Sequence, residues 1–394
     1  MIYLDNNATT KVDEKVLESM IPYFTEEYAN PSSIYDFSKK SSRAIKDARG
    51  VIKDFINASN EKEIIFTSCG SESANTAIKG VLNYNKAKKH IVTTKVEHPC
   101  VLNVYKSLEK QGYKVDYLSV NSNGDLDLEE LDSVINPETA LVSVMWANNE
   151  TGVINPIKKV SEIIKSKNPD TKLFVDAVQV AGKIPMDVQE MGIDLLGISG
   201  HKFHAPKGVG ALYVNSKTMI TPLIIGGHQE RGKRAGTENV PYIVGMAKAA
   251  ELAQDALKYE LTEVKRLRDK LETNLLKNIY NARLNTAVTN RVPNTTNIGF
   301  EYVEGELILL HMSDLGICAS SGSACTSGSL EPSHVLRAMN VPFTAIHGSI
   351  RFSLSRYTTE KEIDFVCEKM PQIIEKITAI SPFQDELAAL KARK

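Results

Sequence analysis

The chain has 394 residues, 24% of them charged and 42% hydrophobic, with 47 Lys and Arg against 48 Asp and Glu. That length favours two domains, the composition is that of a globular protein, and a formal net charge of −1 excludes a broad electrostatic pull toward nucleic acid or an anionic membrane surface. Five cysteines, irregularly spaced and without a C-x-x-C pair, exclude a disulfide framework or a cysteine zinc site as the organising device.

The opening Met1-Ile2-Tyr3-Leu4-Asp5-Asn6-Asn7 lacks the basic start and apolar core of a secretory leader. No uncharged apolar run is long enough to span a bilayer, so a cytoplasmic protein without a membrane partner is expected. From Glu63 to Val214 short β-rich runs alternate with helical patterns. Strands are expected at Ile64 to Thr67, His90 to Thr94, Val115 to Val120, Ala140 to Met145, Leu173 to Val175, Leu195 to Ser199 and Gly210 to Val214. Helical patterns fill the intervals at Ser73 to Tyr84, Val101 to Gln111, Leu128 to Ile135 and Ile157 to Ser166. Such alternation predicts an α/β fold, a mostly parallel seven-stranded sheet between helices. From Pro241 to about Tyr280 the pattern is helical and charged, suiting a long helix that connects to a smaller α+β domain. That domain should contain strands at Thr296 to Phe300 and Ser349 to Leu354, and helices at Glu304 to Leu315 and Thr359 to Ile377. The expected division is a large domain over 13–256, with 1–12 and 257–394 forming the small one.

Two nucleophiles stand out. Cys325 lies in Ser320-Ser321-Gly322-Ser323-Ala324-Cys325-Thr326-Ser327-Gly328-Ser329, among small polar residues that offer no core to join. Composition alone reads that run as a linker, but a linker has no use for a thiol; a loop that exposes one does. Lys202 follows the apolar run Asp194 to Ile198 in Ser199-Gly200-His201-Lys202. A lysine there is ordinarily a solvated charge, yet an amine able to lose its proton condenses with an aldehyde. Asp176 closes the strand Leu173-Phe174-Val175, where pyridoxal phosphate enzymes place the partner of the pyridinium nitrogen, and Gln179 follows three residues on. The strand Ile64 to Thr67 runs through Ser68-Cys69-Gly70-Ser71 into a helix, a turn that serves equally as an ordinary N-cap or as a phosphate cradle. His98, in Val96-Glu97-His98-Pro99, suits either a satisfied core position or stacking on an aromatic cofactor. Cys318, Cys100 and Cys367 read as packed thiols.

The order of motifs then becomes specific. Tyr3-Leu4-Asp5-Asn6-Asn7-Ala8-Thr9-Thr10, Asn30-Pro31-Ser32-Ser33, Ala147-Asn148-Asn149-Glu150-Thr151-Gly152, Val175-Asp176-Ala177-Val178-Gln179 and Ser199-Gly200-His201-Lys202 are followed by Gly227-His228-Gln229-Glu230-Arg231-Gly232, Arg234-Ala235-Gly236-Thr237-Glu238-Asn239, the Cys325 run and Ser349-Ile350-Arg351-Phe352-Ser353. In this series the chain resembles the NifS/IscS-like cysteine desulfurases, within the class V aminotransferase-related, fold-type I pyridoxal phosphate enzymes. The resemblance implies that Lys202 holds pyridoxal 5'-phosphate covalently and that Asp176 pairs with its ring nitrogen. It implies His98 on the ring, acting also in catalysis, with Asn149 and Gln179 near the phenolic oxygen. Gly70, Ser71, Ser199 and His201 would hold the phosphate, joined by Thr237 from the other subunit of a homodimer. Arg351, with Asn149, would bind the carboxylate of L-cysteine, and Cys325 would take its sulfur as a persulfide, leaving L-alanine. No resident metal is implied, Cys325 meeting an iron–sulfur cluster only in passing, and the sulfur acceptor implied is an iron–sulfur scaffold protein of the NifU/IscU-like kind.

The long run after Cys325, ending Leu330-Glu331-Pro332-Ser333-His334-Val335-Leu336, resembles the NifS/IscS group rather than the short-looped SufS group. Trp146-Ala147-Asn148-Asn149 is closer to the nitrogen-fixation branch, with a general iron–sulfur role equally open. Tyr35, Ser38, Cys69 and Ser71 depart from the group's usual histidine, glycine, glycine and threonine. Cys69 puts a side chain where the phosphate loop is expected to need backbone freedom. Among rival activities, a transaminase has no use for an exposed thiol, whereas a selenocysteine lyase acts on a substrate one atom different. An idle docking subunit would be expected to lack Lys202 or Cys325.

Overall fold

A computed structural model describes residues 1–321 and 332–393 of the chain. Cys325 therefore lies outside the described residues. The N-terminal strand β1 (Ile2–Tyr3) does not join the main sheet that follows it. That sheet has seven strands, β2 (Ile64–Thr67), β3 (His90–Thr94), β4 (Lys114–Leu118), β5 (Thr139–Met145), β6 (Lys172–Asp176), β7 (Leu195–Ser199) and β8 (Gly210–Val214), in the order β2-β8-β7-β6-β5-β3-β4. The pairs β3–β4, β3–β5, β5–β6 and β6–β7 are parallel, and β8 alone runs against both its neighbours. The mostly parallel seven-stranded sheet expected from the sequence is present, within two residues at each strand end.

Both faces of the sheet are covered, which is why its strands read as unbroken apolar runs. Alternation along each strand divides them between two cores. Ile64, Phe66, Val142, Val144, Leu196 and Ile198 pack into one, with the helices Lys39–Phe55 and Val240–Asp255. Ile65, Leu141 and Leu195 pack on the other side, against the helices Gly70–Tyr84 and Pro99–Glu109.

A separate core gathers Leu4, Leu271, Phe300, Phe352 and Ile363 around a second sheet. Its strands are β9 (Ala282–Leu284), β10 (Thr295–Phe300), β12 (Ser320–Ser321) and β13 (Ser349–Ser353), all antiparallel, while β11 (Ile317–Cys318) pairs in parallel with β1. β1 and β11 make a separate two-stranded sheet, and Asp5 then bridges to Ser353, so the first residues lie with this second core before the chain crosses to the first. The expected connecting helix is not continuous. It runs Val240–Asp255 and Leu257–Tyr259, widens into a π turn at Glu260–Val264, and resumes as Lys265–Asn278. The π turn buries Glu260 at 4% exposure, which an ideal helix of this charge pattern would leave at the surface. Among the described residues no helix is long and apolar enough to cross a membrane.

Candidate functional site

The carboxyl ends of β6 and β7 point at one spot, where open α/β sheets place their ligands. Asp176 ends β6, is 7% exposed, and accepts from the Val178 N–H at 3.0 Å. Burial raises its carboxyl above the usual range, while His98, the Val178 N–H and Lys202 pull it back down. His98 caps the helix Pro99–Glu109 through Nδ1, which accepts the Cys100 N–H at 3.2 Å. That bond leaves the proton of the neutral ring on Nε2, and burial holds the imidazole below its usual pKa. His98 is thus a neutral, oriented ring beside Asp176 and Lys202.

Lys202 lies in the short turn Gly200–Lys202 directly after β7, and its Nζ donates to the backbone oxygens of Asn7 and Ala8 at 2.7 and 2.8 Å. His201 faces Thr9 Oγ1 at 3.1 Å, and burial with the charges of Lys202 and Lys207 lowers it to about 4. Ser199, the last residue of β7, has a buried hydroxyl without a hydrogen-bond partner. Beside it opens the helix Gly70–Tyr84, whose N-cap Cys69 provides no side-chain cap. A Cβ on Gly70 would stand 3.0 Å from Val178 Cγ2 and 3.6 Å from Ser199 Cβ, so backbone, not side chain, lines this corner. Uncapped N–H groups and an orphaned hydroxyl together form an anion cradle. Cys69 itself is extended at φ −174°, a conformation open to any residue, so the departure from glycine costs the loop nothing.

From the second sheet comes Arg351 on β13, 4% exposed. Its Nη2 meets Asp5 Oδ1 at 2.6 Å, its Nη1 donates to the Asn149 carbonyl at 3.0 Å, and its Nε is buried without a partner. Gln179 donates through Nε2 to the Asn7 oxygen at 3.1 Å. Thr237 is exposed, apart from the pocket, on the loop preceding the helix Val240–Asp255.

Sequence reasoning passed over several residues that matter here. Asn7 joins the two sheets: its N–H donates to Ser353 Oγ and its Nδ2 to Asn149 O and Thr295 Oγ1. Its place in an unusual run of polar residues after a strand was the available signal. Lys183 is buried against Gln179, and the spacing i, i+4 from Gln179 was its only trace. Cys100 is not a plain core thiol: its Sγ lies 4.0 Å from Asp176 Oδ2 and contacts Ser71, and burial pushes its pKa up. Glu97, 0% exposed, accepts from Thr94 Oγ1 and the Met145 N–H, and burial beside Asp176 raises it to about 8. Glu150 receives the Ser333 hydroxyl at 2.5 Å and is raised by burial to about 7. His334 contacts the Glu97 carbonyl oxygen at 2.9 Å. These last two contacts hold the chain just after the Cys325 run. Among the described residues no His, Cys, Asp and Glu cluster could hold a metal ion.

The residues present fit pyridoxal phosphate: an amine for the aldehyde, a buried carboxylate for the ring nitrogen, and an uncapped helix with an orphaned hydroxyl for the phosphate. Comparison with known proteins agrees. A family model described as Aminotransferase class-V matches residues 2–366. A cysteine desulfurase of Nostoc sp. is 56% identical over 395 residues, spanning 100% of this chain and 98% of that protein. The cysteine desulfurase NifS of Azotobacter vinelandii is 50% identical over 382 residues, 97% of this chain and 94% of that one. A solved structure described as a NifS-like protein superposes with a TM-score of 0.90 at 40% identity, covering 95% of this chain and 99% of that chain.

Proposed function

The chain belongs to the class V aminotransferase family and is a pyridoxal phosphate-dependent cysteine desulfurase, and we propose that Cys325 receives the sulfur of L-cysteine as a persulfide and passes it toward iron–sulfur cluster assembly. Lys202 bonded to Asn7, Arg351 bonded to Asn149, and Asn7 bonded to Asn149, with the Asp176 carboxyl in the electrostatic reach of Lys202, is the observation that supports the residue roles. Arg351 takes the substrate carboxylate, its planar donors and orphaned Nε suiting a two-oxygen ligand, with Asn149 alongside. Ser199, His201, Gly70 and Ser71 would hold the phosphate and Asp176 the ring nitrogen, with His98 and Gln179 as further residues that would hold the ring. Bound, the cofactor supplies an electron sink for charge developing at the substrate α-carbon.

Lys202 removes the α-proton and later returns protons to the substrate carbons. The Cys325 thiolate attacks the substrate sulfur, so an S–S bond forms as the C–S bond breaks. The bonding pair of that C–S bond stays with the substrate carbon, which takes up a proton. L-cysteine and a thiol become L-alanine and a persulfide, with no external oxidant or reductant. The two cores support domains of 13–256 and of 1–12 with 257–394. Thr237, exposed on this chain, completes the pocket of a second copy in a homodimer, the setting is cytoplasmic, and the acceptor is an iron–sulfur scaffold protein of the NifU/IscU-like kind.

Replacing Cys325 by serine tests the assignment. The expected variant keeps the visible absorption of bound cofactor but forms neither alanine nor sulfide from L-cysteine with a thiol reductant. Wild-type turnover in Cys325→Ser would overturn the role of that thiol.

A further inference from the structure

A buried and a half-buried amine meet on one residue. Lys202 Nζ donates to the backbone oxygen of Asn7 at 2.7 Å, and Lys183 Nζ donates to the side-chain Oδ1 of the same Asn7 at 3.0 Å. Lys183 also donates to Gln179 Oε1 at 3.0 Å, and Gln179 Nε2 closes the ring onto Asn7 O at 3.1 Å. Lys183 is 6% exposed, on the turn after β6, and no step of the reaction derived above uses it. Beside it, the small cavity shared with Lys202, His204 and Glu260 measures about 10 Å³, room for one water at most. Protein groups, not solvent, therefore satisfy this amine.

We propose that Lys183 is a positioning residue for Lys202, fixing the orientation of the Gln179 amide and disfavouring a second positive charge at the Lys202 nitrogen. A lysine ammonium has donors only, so Gln179 must turn its oxygen to Lys183 and its N–H groups toward Asn7 and the site. Charge acts in the same place. Burial, then the neighbouring Lys202, lowers Lys183 to about 7; Arg351 pushes the same way and Glu260 opposes them. Glu260, on the π turn, is itself raised by burial to about 7 despite Arg356 and Lys183, and His204 is lowered by burial to about 4. Coulombic coupling is reciprocal: a proton on Lys183 weakens the hold of Lys202 on its own. An amine that must accept the substrate α-proton has to be unprotonated first, and a neighbouring cation favours that state.

The proposal rests on Lys202 carrying the cofactor, and its test separates the two. Visible absorption of holoenzyme is titrated between about pH 6 and 10 for wild type, Lys183→Met, Lys183→Gln and Lys202→Ala. Up to about pH 7, where Lys183 still holds its proton, removing its charge lets the Lys202 nitrogen keep its own, so the lower limb of the titration moves to higher pH by up to about one unit in both Lys183 variants. Gln at 183 still donates to Gln179 and is expected to retain cofactor as wild type does, whereas Met loses it faster. Thermal melting confirms that each variant is folded, and Lys183→Gln, which keeps a buried donor, serves where Met does not fold. A lower limb that is unmoved or moves to lower pH in a folded Lys183 variant overturns the proposal and leaves Lys202 in place. A pH-dependent band that persists in Lys202→Ala overturns instead the cofactor role of Lys202.

Discussion

Glu97 shows how burial converts a charge into a neutral hydrogen-bonding group. Its carboxyl accepts two hydrogen bonds but lies at 0% exposure next to Asp176, so burial raises it to about 8 and it carries a proton at neutral pH. The native state then binds this proton more tightly than the unfolded chain does. Its stabilising contribution is full below the unfolded value near 4.5 and is lost as pH rises through about 8. Glu97→Gln removes that dependence. Between pH 5 and 8 the unfolding free energy of wild type, read by chemical denaturation, should fall relative to the variant with a slope approaching ~1.4 kcal/mol per pH unit. Parallel curves would show Glu97 to be ionised in the native state. Neither the burial of Glu97 nor that of Lys183 was legible in the sequence, because a lone charged residue outside any strand or helix pattern ordinarily stands in solvent. By contrast Lys202 and Asp176 stood out as candidates, since one follows and the other ends an apolar strand run, whereas Arg351 was singled out only by the family resemblance.

Short elements hold the flanks of the Cys325 run. The helix His334–Ala338 has too few residues to be stable alone and depends on its cap. Ser333 receives the Leu336 N–H at 3.2 Å while donating to Glu150 at 2.5 Å, and His334 contacts the Glu97 carbonyl oxygen. One hydroxyl thus serves a helix end and a buried carboxyl together. Ser333→Ala should cost about 1–3 kcal/mol in chemical denaturation, the sum of a lost cap and an unpartnered acid. Sulfur release should slow with the cofactor band unchanged, because the cradle lies on other elements. A fall in cofactor content equal to the fall in turnover would place the effect elsewhere. The π turn is the other element of consequence, since its extra residue turns Glu260 inward to face Lys183.

At the scale of the molecule, two of the described apolar side chains stand almost wholly in solvent and mark the surface where a second copy is tested. Ile34 is 99% and Ile225 85% exposed, and Ile225 stands twelve residues before Thr237, with the short turn Gln229–Gly232 between them. Ile225→Asp should shift a dimer toward monomer by about tenfold in dissociation constant, measured by light scattering against concentration, and should weaken cofactor retention in parallel. A monomeric wild type retaining full cofactor would defeat the shared-pocket reading. Apolar periodicity was enough to locate all seven strands of the main sheet and the helices between them, because burial on both faces demands continuous β-branched and apolar runs. Motif order carried the family. Periodicity says nothing, however, about groups brought together across hundreds of residues. That β1 pairs with β11 and Asp5 with Ser353, that Asn7 receives both lysines, and that the linking helix widens into a π turn at Glu260 follow from how two cores pack against one N-terminal segment. Local patterns encode which face of an element is buried; which buried polar groups then satisfy one another is settled only when those faces meet.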